Sequence, residues 1–321
     1  MLSINRIFFH DFSTYRSALM GVAIVFIMAT HSIGRFALYG NIGVEWFLIV
    51  SAIGQFYSLS KDQHLGHYYK RRFTRILPTY LIVAIPFFIL RSYPSFQDFI
   101  IRITGLNLFF WGERIFWFVT LIVICYLLAP FYFKLIQRFK GSFILPFLLV
   151  AITFPLSYHL PKTEILVTRL PIFFLAMNLG KLVYEKKTIE DKTACIACYI
   201  LSFLAFLAVV LINYSGTRVQ IHRFVYFFCG IPSLFFILTL VQLFSFSKGI
   251  LSFIGNVSYE IYLLHESIIL ALCLMLPLPK VVNVLISYVL AIAFAYLLHS
   301  LVSLLFFKKR NSVDSTKGLF V

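Results

Sequence analysis

Charged residues are scarce in this chain of 321 residues: they make up 12% of it, whereas hydrophobic residues make up 61%. A soluble domain contains roughly 25% charged residues, because polar side chains must cover its surface. This composition therefore excludes a soluble globular protein. The apolar segments are long enough to cross a bilayer, so the sequence predicts an integral membrane protein.

Acidic residues are scarcer still, with 12 against 28 basic residues and a net charge of +16. Such an excess can indicate nucleic-acid binding, but here the basic residues follow the predicted topology. If the N-terminus is cytoplasmic and the spans alternate, 19 of the 28 fall on the cytoplasmic side and 9 on the outer side. The positive-inside rule predicts this for an even number of spans with both termini in the cytoplasm. We therefore predict no nucleic-acid partner.

Cysteine is also rare, with five residues scattered in or beside apolar segments. Cys195 and Cys198 have CxxC spacing, but they open an apolar helix and no second ligand pair accompanies them. The sequence therefore predicts neither a metal site nor a redox site.

Ten apolar segments predict an all-α, polytopic membrane protein of about ten transmembrane helices, with both termini cytoplasmic and a central cavity. We expect a transmembrane domain over residues 1–306 and a short, basic, disordered cytoplasmic tail over 307–321. The predicted spans are about 17–34, 41–59, 76–91, 115–136, 142–158, 169–184, 194–213, 222–246, 254–276 and 281–306.

Ionisable residues within the spans are functional candidates, because a charge in the bilayer is costly unless it faces a cavity or a partner. Lys181 and His299 lie near helix ends, and we interpret them as side chains that extend to the membrane surface. The other candidates are His31, Arg35, Glu45, Glu260, His265 and Glu266.

His31 and Glu45 flank the first predicted turn. If that turn is centred on Phe36 to Gly40, residues whose numbers add up to about 76 lie at the same depth, which brings His31 beside Glu45. The carboxylate would then orient the imidazole as a base, as in an acyl-transfer site. Two alternatives stay open: a purely structural polar pair, or an ion pair of Glu45 with Arg35.

A basic cluster precedes the third span, in the stretch Tyr68 to Pro78. In a helix, Arg72 and Arg75 share a face, and two guanidinium groups on one face suit a phosphate or pyrophosphate. The alternative is a juxtamembrane cluster that sets the topology and contacts anionic lipids.

A polar stripe marks the ninth predicted span, where Gly255 would permit close helix approach. Its spacing is typical of one wall of an aqueous cavity. An aromatic belt would explain the tyrosines but not the ionisable side chains. The stripe comprises Ser258, Tyr259, Tyr262, His265 and Glu266.

In this order, these motifs resemble the acyltransferase-3 family of membrane O-acyltransferases, over about residues 15–306. One residue departs from the pattern: the arginine usually found eleven residues before the histidine is Met20, and only Arg16, one turn earlier, could replace it. The matching segments are Ser17–Ala23 with His31, Gly43–Phe47 with Ser51 and Ala52, Arg72–Pro78, Trp117 and Phe118 with Tyr126 and Pro130, Pro171–Phe174, and Ile254–His265.

The resemblance implies transfer of an acyl group, most commonly acetyl, from cytoplasmic acetyl-CoA to a glycan hydroxyl, with no permanently bound cofactor. The expected acceptor is a bacterial O-antigen, exopolysaccharide or capsule, or its lipid-linked precursor, and the expected location is the inner membrane. The implied catalytic residues are His31 and Glu45, Arg72 and Arg75 would bind CoA, and the cavity residues would be Arg35, Trp117, Ser258, Tyr259, Tyr262 and His265.

Two other functions stay open. A transporter or flippase could use the same histidines and glutamates as a proton path, although such proteins often show inverted repeats and paired broken helices, which we do not find here. Met20 also motivates a diverged, non-catalytic family member.

Overall fold

The computed structural model describes residues 6–32, 40–91, 95–139, 142–214, 218–244 and 248–307. These residues are almost entirely helical, which confirms the predicted all-α class. They form two compact units. The first unit comprises the described residues up to Gln63 together with Asn107–Asn256, and the second comprises His64–Leu106 together with the described residues from Val257 onward.

Long apolar helices dominate both units, and the chain is a polytopic membrane protein. Within the described ranges, these helices coincide with nine of the ten predicted spans, although the total number of spans and the cytoplasmic termini stay predictions. Two of them, Arg16–Ser32 and Ile144–His159, have 17 and 16 residues. The seven that are long enough to cross a membrane are Ile42–Lys61, Leu65–Leu90, Trp117–Arg138, Glu164–Tyr184, Lys192–Tyr214, Val219–Leu243 and Lys280–Phe306.

The predicted span 254–276 is wrong as a single helix. The backbone leaves helical geometry at Val257, with φ −109° and ψ 16°. The segment therefore ends one helix in the first unit and begins another in the second. Its pieces are Lys248–Asn256, Ser258–Leu264, the π-helix His265–Leu270 and Ala271–Cys273.

Close backbone packing organises the first unit around helix Arg16–Ser32. A Cβ atom at Gly255 would overlap the carbonyl oxygen of Ser17, and one at Gly21 would overlap that of Leu251. Lys248–Asn256 therefore approaches Arg16–Ser32 as closely as two backbones allow, which confirms the predicted role of Gly255.

The first unit also contains short elements at the ends of its long helices. Two-residue strands pair antiparallel, with Ile7 opposite Ile189 and Phe8 opposite Thr188. The short helices are Asp11–Thr14, Asn107–Trp111 and Glu164–Val167; within the larger Glu164–Tyr184 segment, the last of these precedes helix Leu170–Tyr184.

The second unit contains Leu65–Leu90, Phe96–Ile103, Lys280–Phe307 and the pieces that follow Val257. Leu65–Leu90 begins eleven residues before the predicted span at 76, so the basic cluster lies within the helix. The short helix Phe96–Ile103 is amphipathic and is attached to the longer one, because the Tyr80 hydroxyl donates to the Ile103 carbonyl over 3.0 Å.

Candidate active site

Glu45 is the fourth residue of helix Ile42–Lys61 and is only 2% exposed. Its Oε1 lies 3.0 Å from Nε of Arg169 and 3.5 Å from Nη1 of Arg223. Arg169 directly precedes Leu170–Tyr184, and Arg223 is the fifth residue of Val219–Leu243. Three helix ends of the first unit therefore meet at one carboxylate.

Arg169 is the most completely bound member of this cluster. Its Nη2 donates to Oδ1 of Asn41 over 2.9 Å, and its Nη1 donates to the Ile165 carbonyl over 3.2 Å. Its guanidinium carbon lies 4.8 Å from the centroid of a ring of Trp117, a cation–π distance. Arg169 thus contacts Glu45 and hydrogen-bonds two neighbouring polar groups at once, which lowers the cost of its buried charge. Oε2 of Glu45 has no hydrogen-bond partner in the described part of the chain.

The predicted hydrogen bond between His31 and Glu45 is wrong, because the first hairpin has a different register. A Cβ atom at Gly43 would lie 2.5 Å from the Ala23 carbonyl oxygen, and one at Gly40 would overlap Phe26 and Thr30. The numbers of two residues that face each other across this hairpin therefore add up to 66–70 instead of 76. Glu45 lies six to ten residues from the level of His31, about 9–15 Å along the axis.

His31 itself is exposed, in the last turn of Arg16–Ser32. Arg35, the alternative partner that we considered for Glu45, lies outside the described residues. In place of the expected hydrogen bond with His31, Glu45 has ion pairs with Arg169 and Arg223.

Arg223 shares its surroundings with His222 and Tyr226. The Arg223 guanidinium lies 5.8 Å from the Tyr226 ring centroid, and the His222 ring lies 6.4 Å from it. The Tyr226 hydroxyl donates to Oδ1 of Asn213. Both His222 and Arg223 are buried, at 8% and 5% exposure.

Trp117 begins its helix after a residue in a rare conformation. Phe116 has φ 53°, in the left-handed region that a bulky side chain seldom adopts. Backbone strain of this kind is typical of functional positions, where surrounding contacts hold it. Further along the same helix, the Tyr126 hydroxyl lies 3.0 Å from Oγ of Ser51, so two of the motif residues are in contact.

In the second unit, Arg72 and Arg75 lie one turn apart on Leu65–Leu90 but have different environments. Arg72 is buried, with its guanidinium 5.7 Å from the ring centroid of the fully buried Tyr68. Arg75 is exposed. One arginine is therefore packed in the interior, whereas the other is exposed.

The polar stripe is anchored to backbone carbonyl groups. The Tyr259 hydroxyl donates to the carbonyl of Ile76 over 3.2 Å, directly after Arg75 in the sequence. Ser258 is buried at the start of its helix, and Tyr262 is half-buried. This contact attaches the stripe to the helix that carries the basic cluster.

His265 is buried at the start of the π-helix. Its Nδ1 lies 2.9 Å from the carbonyl of Tyr262 and 3.1 Å from that of Ile261. Because carbonyl oxygens only accept hydrogen bonds, Nδ1 carries the proton, and Nε2 of the neutral ring is then the basic atom. π-helical turns occur frequently at functional sites.

His299, which we interpret as a side chain that extends to the membrane surface, is 46% exposed and also has a partner in the second unit. Its Nδ1 lies 2.9 Å from Oε1 of Glu260, whose side chain is buried. This contact lowers the cost of a charge on the buried carboxylate, since a partner compensates that charge.

The model of the acyltransferase-3 family, described as an acyltransferase domain, matches residues 18–300. The chain belongs to this family. No curated protein and no solved structure matches the chain.

The sequence alone did not identify two residues of the buried cluster of this acyltransferase, Arg169 and Arg223. In the sequence they are basic residues at the ends of predicted spans. The sequence does contain a feature that indicates them: Glu45 lies within a predicted span, and a carboxylate there requires a cationic partner. Both arginines lie at the starts of predicted spans that alternating topology brings to the same side as Glu45.

The candidate residues of the acyltransferase fall in separate units. His31, Glu45 and Trp117 belong to the first unit, and the basic cluster and polar stripe belong to the second. The central cavity stays a prediction, as do the roles of these residues.

Proposed function

We propose that the chain transfers an acyl group, most commonly acetyl, from cytoplasmic acetyl-CoA to a hydroxyl group of a bacterial cell-surface polysaccharide or its lipid-linked precursor. The observation that carries this proposal is His31, an exposed imidazole in the last turn of a membrane helix, within a chain whose family is that of an acyltransferase domain. We assign the protein to the inner membrane.

In this proposal His31 acts as the general base. Its imidazole removes the proton of the acceptor hydroxyl, whose oxygen attacks the thioester carbonyl carbon. The carbon–sulfur bond then breaks, CoA leaves as a thiolate, and the proton passes from the imidazolium to that sulfur. The alternative that stays open is an acyl-enzyme intermediate, in which an enzyme nucleophile first displaces CoA from the acyl carbon and the acceptor oxygen then displaces that nucleophile.

Donor binding is assigned to the two arginines of the basic cluster that share a helix face. Arg72 and Arg75 supply guanidinium donors to the phosphate groups of CoA, since paired arginines suit phosphate oxygens. Nε2 of His265 is assigned to accept a hydrogen bond from a substrate hydroxyl, because the contacts of Nδ1 support this tautomer. The buried Glu45 acts as a positioning residue, because its ion pair holds Arg169 and the start of helix Leu170–Tyr184 in place.

The test compares O-acetyl ester in the surface glycan of a deletion strain complemented with wild type, His31→Ala or His159→Ala. His159 is the matched control, an exposed histidine at the end of another helix of the first unit. We expect wild type and His159→Ala to restore ester, and His31→Ala to be about 10²–10⁴-fold less active. Immunoblots of the membrane fraction check that all three proteins are inserted.

Restoration of ester by His31→Ala would contradict the assignment of the base. Purified wild-type protein should also hydrolyse acetyl-CoA slowly, because water can replace the acceptor. A transporter would bring about no such hydrolysis, so this second measurement separates the two functions.

A further inference from the structure

The buried charges at the Glu45 end of the first unit leave one arginine without a carboxylate of its own. Glu45 has its shorter ion pair with Arg169, at 3.0 Å, and Glu164 is bound by Arg114, at 3.4 Å. Among the described residues, the one carboxylate that Arg223 contacts is Glu45, at 3.5 Å and at the oxygen that Arg169 already binds.

The donors of Arg223 are also incompletely used. Its Nε and Nη1 are buried, and neither has a hydrogen-bond partner among the described residues. A buried donor without a partner costs about 1–3 kcal/mol, and more when it is charged. A buried cation within a membrane helix is therefore expected to face a ligand or a cavity.

His222 presents a second unused polar atom at the same helix end. Its Nε2 is buried and has no hydrogen-bond partner in the described part of the chain. Tyr226 lies beside both side chains, but its hydroxyl is already bound to Asn213. The unused groups at this helix end are thus one guanidinium and one imidazole nitrogen, a combination that suits an anion. The other buried atoms of the cluster without a hydrogen bond to a described residue are Oε2 of Glu45 and Nε of Arg169.

We propose that Arg223, assisted by His222, binds an anionic oxygen group of the acyl acceptor, a carboxylate or a phosphate. This inference rests on the proposed function, since it assigns the anion to the acceptor. A guanidinium group binds two oxygens of such a group at once and thereby orients it. Arg223 would then select acidic acceptors over neutral ones.

The same anion chemistry has a second possible source, a lipid headgroup. An apolar groove of about 530 Å³ lies beside the start of this helix, lined by Phe154, Tyr158, Gln220 and Phe224 among others. An acyl chain in that groove would bring a headgroup phosphate near the helix start. The experiment therefore includes a separate arm for lipid.

The first arm measures binding to the purified full-length protein in neutral detergent by calorimetry. The probes are glucuronate and inorganic phosphate, with glucose as the neutral control. We expect an acidic probe to bind wild type and to bind Arg223→Gln about 10–100-fold more weakly, because charged hydrogen bonds are lost. The matched control is Arg218→Gln, which removes an exposed positive charge five residues earlier and should bind as wild type does.

The second arm compares thermal unfolding in nanodiscs of phosphatidylglycerol and of phosphatidylcholine. If glucuronate binds wild type and Arg223→Gln weakens that binding, while phosphatidylglycerol stabilises both proteins equally, the acceptor is the source of the anion. If only phosphatidylglycerol stabilises wild type, and Arg223→Gln abolishes that stabilisation, the anion site exists but its occupant is lipid, and the assignment to the acceptor is overturned.

Two further results would overturn the site itself. One is that Arg218→Gln and Arg223→Gln weaken the binding of the acidic probe equally. The other is that wild type and Arg223→Gln bind every probe equally and are stabilised equally by both lipids. If Arg223→Gln does not fold, Arg223→Lys replaces it, with weakening of about tenfold expected because the bidentate geometry is lost. No assay contains acyl-CoA, so failure of the anion site is distinguishable from failure of the proposed acyl transfer.

Discussion

The two units of this acyltransferase stabilise their polar residues in different ways. In the first unit, ionisable side chains from three helix ends bind one another, with Glu45 between Arg169 and Arg223. In the second unit, Tyr259 and His265 are attached to backbone carbonyls, and Arg75 is exposed. The first arrangement joins helices through buried charges, whereas the second uses neutral backbone carbonyls and has an exposed cation.

Because of this difference, we expect substitutions in the first cluster to change mainly the stability of the protein, and substitutions of exposed cations in the second unit to change mainly its activity. Removal of a member of the first cluster leaves a buried charge without a partner, which is among the most costly changes in a protein interior. Removal of an exposed cation from the second unit is expected to cost little stability, because solvent screens exposed charges, and to change mainly the binding of substrate.

The largest expected effect is that of Glu45→Gln. It removes the charge that compensates Arg169, and we expect the free energy of unfolding to fall by about 3–5 kcal/mol. Titration with SDS in mixed micelles measures this quantity. The control is Glu190→Gln, which breaks the exposed ion pair with Arg6 and should cost at most about 1 kcal/mol. Equal effects would mean that the buried cluster is not what stabilises the first unit.

Close packing in the first unit gives the second prediction. Gly255→Ala places a methyl group on the carbonyl of Ser17, so we expect it to destabilise the protein by about 1–3 kcal/mol. Gly249→Ala lies in the same helix with nothing within 4 Å of the added atom. It should be neutral or stabilising by up to about 1 kcal/mol, because alanine favours helix. Equal stability of the two variants in the same SDS titration would contradict the close approach.

The third prediction concerns the exposed cation of the second unit. Arg75→Gln should leave the free energy of unfolding within about 0.5 kcal/mol of wild type, as surface substitutions usually do. We expect its KM for acetyl-CoA to rise about tenfold with kcat retained, because it removes a hydrogen bond to phosphate that is present throughout the reaction. Lys70→Gln, an exposed position on the same helix, is the control. An equal rise in KM would indicate general electrostatic attraction instead of a specific contact.

The sequence predicted the positions of most helices but not the partners of Glu45. Hydropathy locates long apolar helices because every residue of a span contributes to it. The register of the first hairpin depends instead on where small residues allow contact, and Gly43 against Ala23 moved Glu45 away from His31. The break at Val257 was missed for a similar reason, since a change in two backbone angles leaves the mean hydropathy of the segment unchanged.

The smallest expected effect is that of His299→Gln, which tests whether an ion pair also stabilises the second unit. The ion pair of His299 with Glu260 resembles those of the first unit in distance, at 2.9 Å, but the histidine side chain is 46% exposed. Solvent or headgroups therefore weaken the attraction, and glutamine can still donate to the carboxylate. We expect a loss below about 1 kcal/mol in the SDS titration, close to that of the exposed control His159→Gln. A loss as large as that of Glu45→Gln would show that an ion pair also holds the second unit together, and the distinction between the units would fail.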